Sequence, residues 1–224
     1  VVSDSDGSTA VAQAAEPLSI TAPADASEEA SRSTLQRLSQ VVTRRLIAAQ
    51  TGRLLMFHAG AISHPVTGAS VVFVAPSGTG KTTLARLLGR THGYLTDETV
   101  GIHPATGQIY PYPKPLSIAQ AGRLGKVETS PDDLGLLPAH PQPTVARVVL
   151  LNRRSEHAPI HVTELATLDA VAALVPETSA LHCLPRPLRT LAELLDRTAP
   201  LVRLTYHEAG DLVPVLTRLM EGSR

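Results

Sequence analysis

The sequence predicts an α/β fold, and three observations predict it. An apolar, β-branched run, Val71-Val72-Phe73-Val74-Ala75, enters a Gly-rich turn, Ser77-Gly78-Thr79-Gly80, and leaves it as a helix-forming stretch from Lys81. Short strand-like runs then alternate with helical periodicities to the end of the chain. Composition allows the core that such a fold needs: 224 residues, 43% of them hydrophobic, suit one sizeable domain with a tail.

Residues 1 to 30 are rich in Ala, Ser, Asp and Pro with little periodicity, and are expected to form a flexible acidic lead-in with a short edge strand near Leu18 to Thr21. Residues 31 to 224 are expected to form the domain. Ser33 is placed to cap a helix running to Gln50, with Leu35, Leu38, Val42 and Leu46 at helical spacing. Arg37, Arg44 and Arg45 mark its solvated face. Two apolar runs, Leu54 to Ile62 and Ser70 to Ala75, flank His64-Pro65-Val66-Thr67-Gly68, which suits a hairpin or short loop between neighbouring strands. A helix from Lys81 to Arg90 would bury Leu84, Leu87 and Leu88 and stop before Gly93. Tyr94-Leu95-Thr96 reads as a short strand that delivers Asp97-Glu98. Val100 to Ile118 carries short strands with turn signals. Residues 119 to 143 are Gly/Pro-rich and irregular, with a short helix at Asp132 to Leu137, and long loops of this kind are often functional. Val145 to Leu151 is a buried strand. Helices at Leu165 to Leu174 and Arg186 to Arg197, a strand at Leu201 to Tyr206 and a helix from Ala209 to Met220 complete the chain, with Pro214 delaying or kinking the last.

Charge and cysteine content narrow the function. The formal net charge is zero, yet residues 1 to 30 carry six acids and no Lys or Arg, which leaves 20 basic against 14 acidic residues in the rest, about +6. That excess suits a phosphate-bearing ligand. It does not point to nucleic acid, because the basic residues are dispersed and do not cluster with the few aromatics as a stacking platform. The apolar runs are too short to cross a bilayer and no basic-then-apolar leader is present, so no membrane role is expected. Cys183 is the single cysteine, and a reducing, cytoplasmic compartment is the simpler expectation.

Ser77 to Thr83 matches the Walker A phosphate-loop pattern between a strand and a helix, the context that pattern requires. Backbone N–H groups from Gly78 to Thr82 would wrap a phosphate at the positive end of the helix. Lys81 would bridge the β- and γ-phosphates of a nucleoside triphosphate, and the Thr82 hydroxyl would ligate Mg²⁺. The leading glycine of the pattern is replaced by Ala75, which fits at ordinary negative φ but would be strained by roughly 1–2 kcal/mol in the left-handed region. Asp97 and Glu98 end the strand after the phosphate-loop helix, where a parallel neighbour would bring carboxylates beside the metal. Successive residues on a regular strand face opposite ways, so both acids reach the site only where the strand frays. Arg153-Arg154, at the end of a strong strand, is placed to contact phosphate or an acidic substrate and Lys114 to project from a substrate loop, with solvated surface the simpler reading of all three. Gly122-Arg123-Leu124-Gly125-Lys126 echoes a phosphate loop but lacks the preceding strand. No zinc spacing is found among the nine histidines.

His58-Ala59-Gly60-Ala61, the run Val72 to Ala85 with its phosphate loop, Leu95-Thr96-Asp97-Glu98, Tyr110-Pro111-Tyr112-Pro113-Lys114-Pro115-Leu116 and Arg203-Leu204-Thr205-Tyr206 together resemble the HPr kinase and PEP carboxykinase superfamily, in particular its small HPr-kinase-like members. The resemblance implies a mixed central sheet flanked by helices, with ATP and Mg²⁺ as cofactors. It also implies site roles: His58 near the γ-phosphate or metal, Asp97 as the catalytic base and a candidate metal ligand beside Thr82, and Glu98 as a metal ligand where the superfamily has a second aspartate. The activity implied is transfer of the γ-phosphate to a hydroxyl, a serine of a peptide or protein. Two alternatives stand beside it: a non-catalytic nucleotide-binding regulatory module, and a small-molecule kinase or nucleotidase. The loop from Ala119 to Pro143 is a place for an acceptor to dock, and a homo-oligomer is compatible with each reading.

Overall fold

The structure, a computed structural model, describes residues 27–119, 125–157 and 159–221. The expected edge strand at Leu18 to Thr21 and most of the 122–126 segment lie outside them. The first element is helix α1 (Glu28–Gln50), capped by Ser27, whose Oγ accepts from the Ala30 N–H at 3.2 Å, six residues before the expected cap at Ser33. A long sheet follows. Its path runs β5 (Ile109–Tyr110), β4 (Thr99–Ile102), β1 (Leu55–Ser63), β2 (Ala69–Val74), β8 (Thr144–Arg153), β11 (Ala199–Tyr206) and β9 (His161–Glu164). Strands β3 (Gly93–Thr96) and β10 (Thr178–Ser179) also pair with β1, while β6 (Leu116–Ala119) and β7 (Lys126–Thr129) form a separate hairpin. Strands β2, β8 and β11 are parallel and the flanking pairs antiparallel, so the central sheet is mixed and the fold class is the expected one.

Helices cover both faces of this sheet. Val72 and Val74 of β2 pack with Leu55, Phe57, Ala59 and Ala61 of β1 against α3 (Thr167–Leu174) and α4 (Pro187–Leu195). Val71 and Phe73 face the other way, onto Leu84, Ala85 and Leu88 of α2 (Lys81–Leu88) and Leu216 and Met220 of α5 (Val213–Glu221). A strand buried on both faces reads as a continuous apolar run, which is why β2 was legible as a central strand. Along β1 the ordinary alternation of a strand sends Leu55, Phe57, Ala59 and Ala61 to the α3–α4 side and Ile62 to the α2 side, while its register against β3 shifts between Ala61 and Ile62.

Several elements differ from expectation for physical reasons. Residues 131–135 form hydrogen-bonded turns rather than a helix, Leu137 makes an isolated bridge to Gly93, and the segment expected to be irregular contributes β7. Ala209–Leu212 is a 3-10 turn and the α-helix begins only at Val213, because Pro214 fits the first turn of a helix but not its interior. In α1, Leu35 and Leu46 are exposed at 53% and 42%, so the apolar stripe is not a core face. The helix is anchored instead through buried Thr43, whose hydroxyl lies 3.0 Å from the Tyr112 hydroxyl.

Candidate functional site

The phosphate loop is built where β2 ends. Gly78 and Gly80 adopt φ of 82° and 102°, in the left-handed region that disfavours a side chain, and Gly80 serves as the N-cap of α2. Among the described residues only Ala180 and Arg186 combine a side chain with positive φ, so Ala75 takes the loop's leading position without strain and is fully buried. The loop is tied down from two sides: Thr79 Oγ1 donates to the Pro76 carbonyl, and the Tyr206 hydroxyl donates to the Thr79 carbonyl.

Lys81 opens α2 at 6% exposure, and its Nζ donates to the carbonyls of Ala75 and Pro76 at 2.5 and 2.9 Å. Burial lowers its pKa from 10.5 to about 8, against the opposing pull of Glu177, Asp97 and Glu98. The ammonium is therefore costly to keep charged in place, and an anion brought to the loop would relieve it.

Topology explains how the two acids reach this loop. β1 lies between β2 and β3 and is antiparallel to both, so β2 and β3 run the same way without being the direct neighbours that the sequence suggested. Ala59 of β1 is opposite Val74, and Ala61 is opposite Thr96. The ends of β2 and β3 are thus offset by two residues of β1, roughly 7 Å along the strand. Asp97 and Glu98 follow Thr96 in a bend before β4, where the alternation of a regular strand lapses and both side chains line one cavity.

The acids differ in surroundings. The Asp97 side chain is 4% exposed and has three partners: Thr82 Oγ1 donates to its Oδ2 at 2.7 Å, the Tyr94 hydroxyl donates to its Oδ1 at 3.0 Å, and Lys114 Nζ lies 3.3 Å from Oδ1. The Glu98 side chain is 31% exposed and pairs with Lys114 Nζ at 3.3 Å. Burial drives the Tyr94 hydroxyl pKa upward and the Asp97 charge adds to it, so the phenol stays a donor. Lys114 is buried at 8% exposure rather than solvated. Burial favours its neutral form, but Asp97, Glu98 and Glu128 outweigh that and raise its pKa. Its segment is laid across the end of β3 by Tyr112 N–H donating to the Leu95 carbonyl at 2.9 Å, and the Lys114 carbonyl, 3.3 Å away, shares with Asp97 the single hydrogen of the Tyr94 hydroxyl.

His58, in β1, has Nδ1 3.1 Å from the Glu98 carbonyl. A carbonyl oxygen only accepts, so Nδ1 carries the hydrogen and the neutral ring keeps Nε2 as an acceptor. Burial first, then the Lys81 charge, lowers the His58 pKa and favours that neutral form.

These residues surround a cavity of about 510 Å³, together with Ser77, Gly78, Gly80 and Thr83 of the loop. Arg86, Lys126, Glu128, Gln40 and Arg153 are among the other residues that line it, and Oε2 of Glu128 is buried with no hydrogen-bond partner. Thr79 lies on the other side, beside a shallower cavity of about 440 Å³ with Arg153, Arg154 and His207. Arg153 is not simply solvated: it donates to the His207 carbonyl and pairs with Glu208 at 3.1 Å. A further cavity of about 540 Å³ shares His58, Glu98 and Gln40 with the main one and is otherwise lined by residues such as Thr43, Arg44, Glu177 and Ser179. Among the described residues no three His, Cys, Asp or Glu side chains are grouped to hold a metal by themselves, and no helix is long and apolar enough to cross a membrane. Cys183 is free and exposed.

The expected residues His58, Lys81, Thr82, Asp97 and Glu98 are therefore brought together. Lys114, Tyr94, Tyr206 and Glu128 are the members that sequence reasoning missed or read as surface. One signal for Lys114 was present: it is one of only three lysines in a chain whose other basic residues are arginines.

No protein-family model matches the sequence, and no curated protein matches it. Among solved structures, the chain is similar to the Hpr(Ser) kinase/phosphatase from Coxiella burnetii, at a TM-score of 0.35 and 14% sequence identity, with 74% of this chain and 93% of that chain covered. A likeness of that degree leaves function to the geometry of the site itself.

Proposed function

We propose that the protein is an ATP- and Mg²⁺-dependent kinase that transfers the γ-phosphate to a hydroxyl, a serine of a peptide or protein. The observation that carries the reading is the contact of Thr82 Oγ1 with Asp97 Oδ2 at 2.7 Å, in a cavity that also holds the phosphate-loop lysine and a second, freer carboxylate. A P-loop hydroxyl beside a strand-end aspartate is the arrangement that holds Mg²⁺ in P-loop phosphotransferases. The donors fit: both are hard oxygens, and Mg²⁺ takes only one or two protein ligands and fills its shell with water and phosphate oxygens. Bound by Thr82 and Asp97, Mg²⁺ would neutralise charge on the β- and γ-phosphates.

The surroundings of the acids favour the metal role over the base role for Asp97 and give the base role to Glu98. Asp97, buried and already accepting from Thr82 and Tyr94, suits the metal side. Glu98 is more exposed and borders both large cavities, so it suits the proton acceptor. Lys81 would leave the Ala75 and Pro76 carbonyls for the β- and γ-phosphates. In-line displacement requires the acceptor oxygen to approach opposite the leaving oxygen. The cavity beyond His58 and Glu98 offers that approach. The acceptor hydroxyl would then attack the γ-phosphorus, its proton would pass to Glu98, and the bond to the β-phosphate oxygen would break to release ADP. His58 Nε2 is available to orient the hydroxyl.

A second reading, a nucleotide-binding regulatory module, is favoured by Lys114 engaging both acids. The test is transfer from ATP with Mg²⁺ to serine-containing peptides, proteins and small alcohols, alongside nucleotide binding. Glu98→Gln is expected to reduce transfer by about 10²–10⁴-fold with Mg-ATP binding retained, and Asp97→Asn to lose the Mg²⁺ dependence of binding. Full transfer by Glu98→Gln would remove the base assignment. ATP binding with no transfer to any acceptor would favour the module.

A further inference from the structure

Lys114 sits where a metal would be wanted. Its Nζ is 3.3 Å from Asp97 Oδ1 and 3.3 Å from Glu98 Oε2, and it is held by a third contact, donated to the Pro115 carbonyl at 2.9 Å. Two adjacent carboxylates in a mostly buried corner would otherwise repel each other and attract a divalent cation. The ammonium satisfies both. Glu128, from the β6–β7 hairpin, lines the same cavity, interacts with the Lys114 charge and keeps a buried Oε2 without a hydrogen-bond partner. A buried carboxylate oxygen with nothing to accept from is rare and costly, and it is a berth suited to an ammonium that has moved.

We propose that Lys114 is a tethered counter-ion of Asp97 and Glu98 that competes with divalent metal for Asp97, and that it transfers to Glu128 when metal arrives with the nucleotide. This rests on the reading of Asp97 as the metal-side acid. Free metal must displace a cation fixed to the backbone nearby and gains only a hydroxyl and a carboxylate in exchange. Metal that brings phosphates gains their oxygens as well, and the phosphates' negative charge draws Lys81 off the loop carbonyls. Lys114 therefore makes metal entry conditional on nucleotide, and its departure is what frees Glu98 to accept a proton. The four-carbon stem of lysine suits such a move, whereas a planar guanidinium would lock both carboxylates.

The experiment is Mn²⁺ binding to the full chain followed by electron paramagnetic resonance, first without nucleotide. Lys114→Met is expected to bind Mn²⁺ at least tenfold more tightly than wild type, and Asp97→Asn added to it to abolish the gain. Lys114→Gln, which keeps hydrogen-bond donors to both acids but no charge, is expected to show the same direction and decides the matter if Lys114→Met does not fold by circular dichroism. Mn²⁺ binding no tighter in either folded variant would overturn the competition. With a nonhydrolysable ATP analogue present, Glu128→Gln is expected to weaken Mn²⁺ binding several-fold because Lys114 loses its second berth; unchanged binding would overturn the transfer to Glu128. None of these readouts uses phosphoryl transfer, so a failure of the kinase reading leaves them interpretable.

Discussion

Replacing Lys81 by methionine should stabilise the nucleotide-free fold at neutral pH while removing its response to ATP. Holding the Lys81 pKa near 8 instead of 10.5 means that the charged form is disfavoured in the folded chain. At ~1.4 kcal/mol per pH unit the difference is roughly 3 kcal/mol, and water in the cavity screens it to about half, 1.5 kcal/mol. Methionine keeps much of the stem's packing and removes this penalty. It also removes the donor to the Ala75 carbonyl, at a cost of about 1 kcal/mol, whereas the Pro76 carbonyl keeps Thr79 as a partner. The sum is small near pH 7, a gain of roughly 0.5 kcal/mol, but its pH dependence is diagnostic. Between pH 8 and 10.5 the unfolded wild type holds the proton and the folded chain does not, so wild-type stability rises with pH through that window. The penalty is complete below pH 8 and gone above about 10.5. Lys81→Met lacks this term, so its advantage should shrink by about 1 kcal/mol or more from pH 7 to 10 and become a deficit. Urea denaturation at a series of pH values measures it, and thermal shift with Mg-ATP measures the lost response. A stability difference that stays flat from pH 7 to 10 would refute the reasoning.

Two other substitutions test the frame around the loop. Gly60→Ala would place a Cβ 2.1 Å from Cε2 and 2.6 Å from Cζ of the fully buried Phe73 ring, and overpacking of that kind costs about 1–3 kcal/mol; a change in denaturation midpoint equivalent to less than 0.5 kcal/mol would count against this packing. Tyr94→Phe deletes the hydroxyl whose single hydrogen is shared between Asp97 and the Lys114 carbonyl. The expected loss is about 1.5–3 kcal/mol, as for a hydrogen bond to a charged group, together with weaker Mg-ATP binding by isothermal calorimetry, and unaltered values in both assays would show that the Tyr94 hydroxyl does not hold Asp97 in place.

The parts of the site that were legible are those whose determinants are contiguous. The phosphate loop needs one strand, six residues and one helix start, all local, and Gly78 and Gly80 take the left-handed conformations that make glycine informative there. Asp97 and Glu98 were legible because they end the next strand, although the sequence did not reveal that β1 would lie between β2 and β3. Strands β7, β9 and β10 were missed for a common reason. Residues 126–129, 161–164 and 178–179 have few or no buried side chains and carry no strong apolar pattern, so only pairing, which is tertiary, makes them strands. The apolar positions of α1 misled in the opposite sense, since spacing reports a stripe but not what covers it.

Lys114 was illegible for a deeper reason, and that reason bears on its function. Flanked by Pro113 and Pro115, it belongs to no periodic element, and its burial depends on Tyr112 and Tyr94 pinning the segment to the end of β3. Single-sequence priors assign such a lysine to solvent. A segment held by two hydrogen bonds to one strand end is a hinge-like support, firm enough to present an ammonium to two carboxylates and free enough to let the stem redirect it. Proline on either side restricts the backbone, which confines any movement to the side chain. The contacts that hide Lys114 from sequence reasoning are thus the ones that fix its backbone within reach of Asp97 and Glu98 in the cavity that Glu128 also lines, and a chain that placed the same lysine on a regular strand would have had to choose one face.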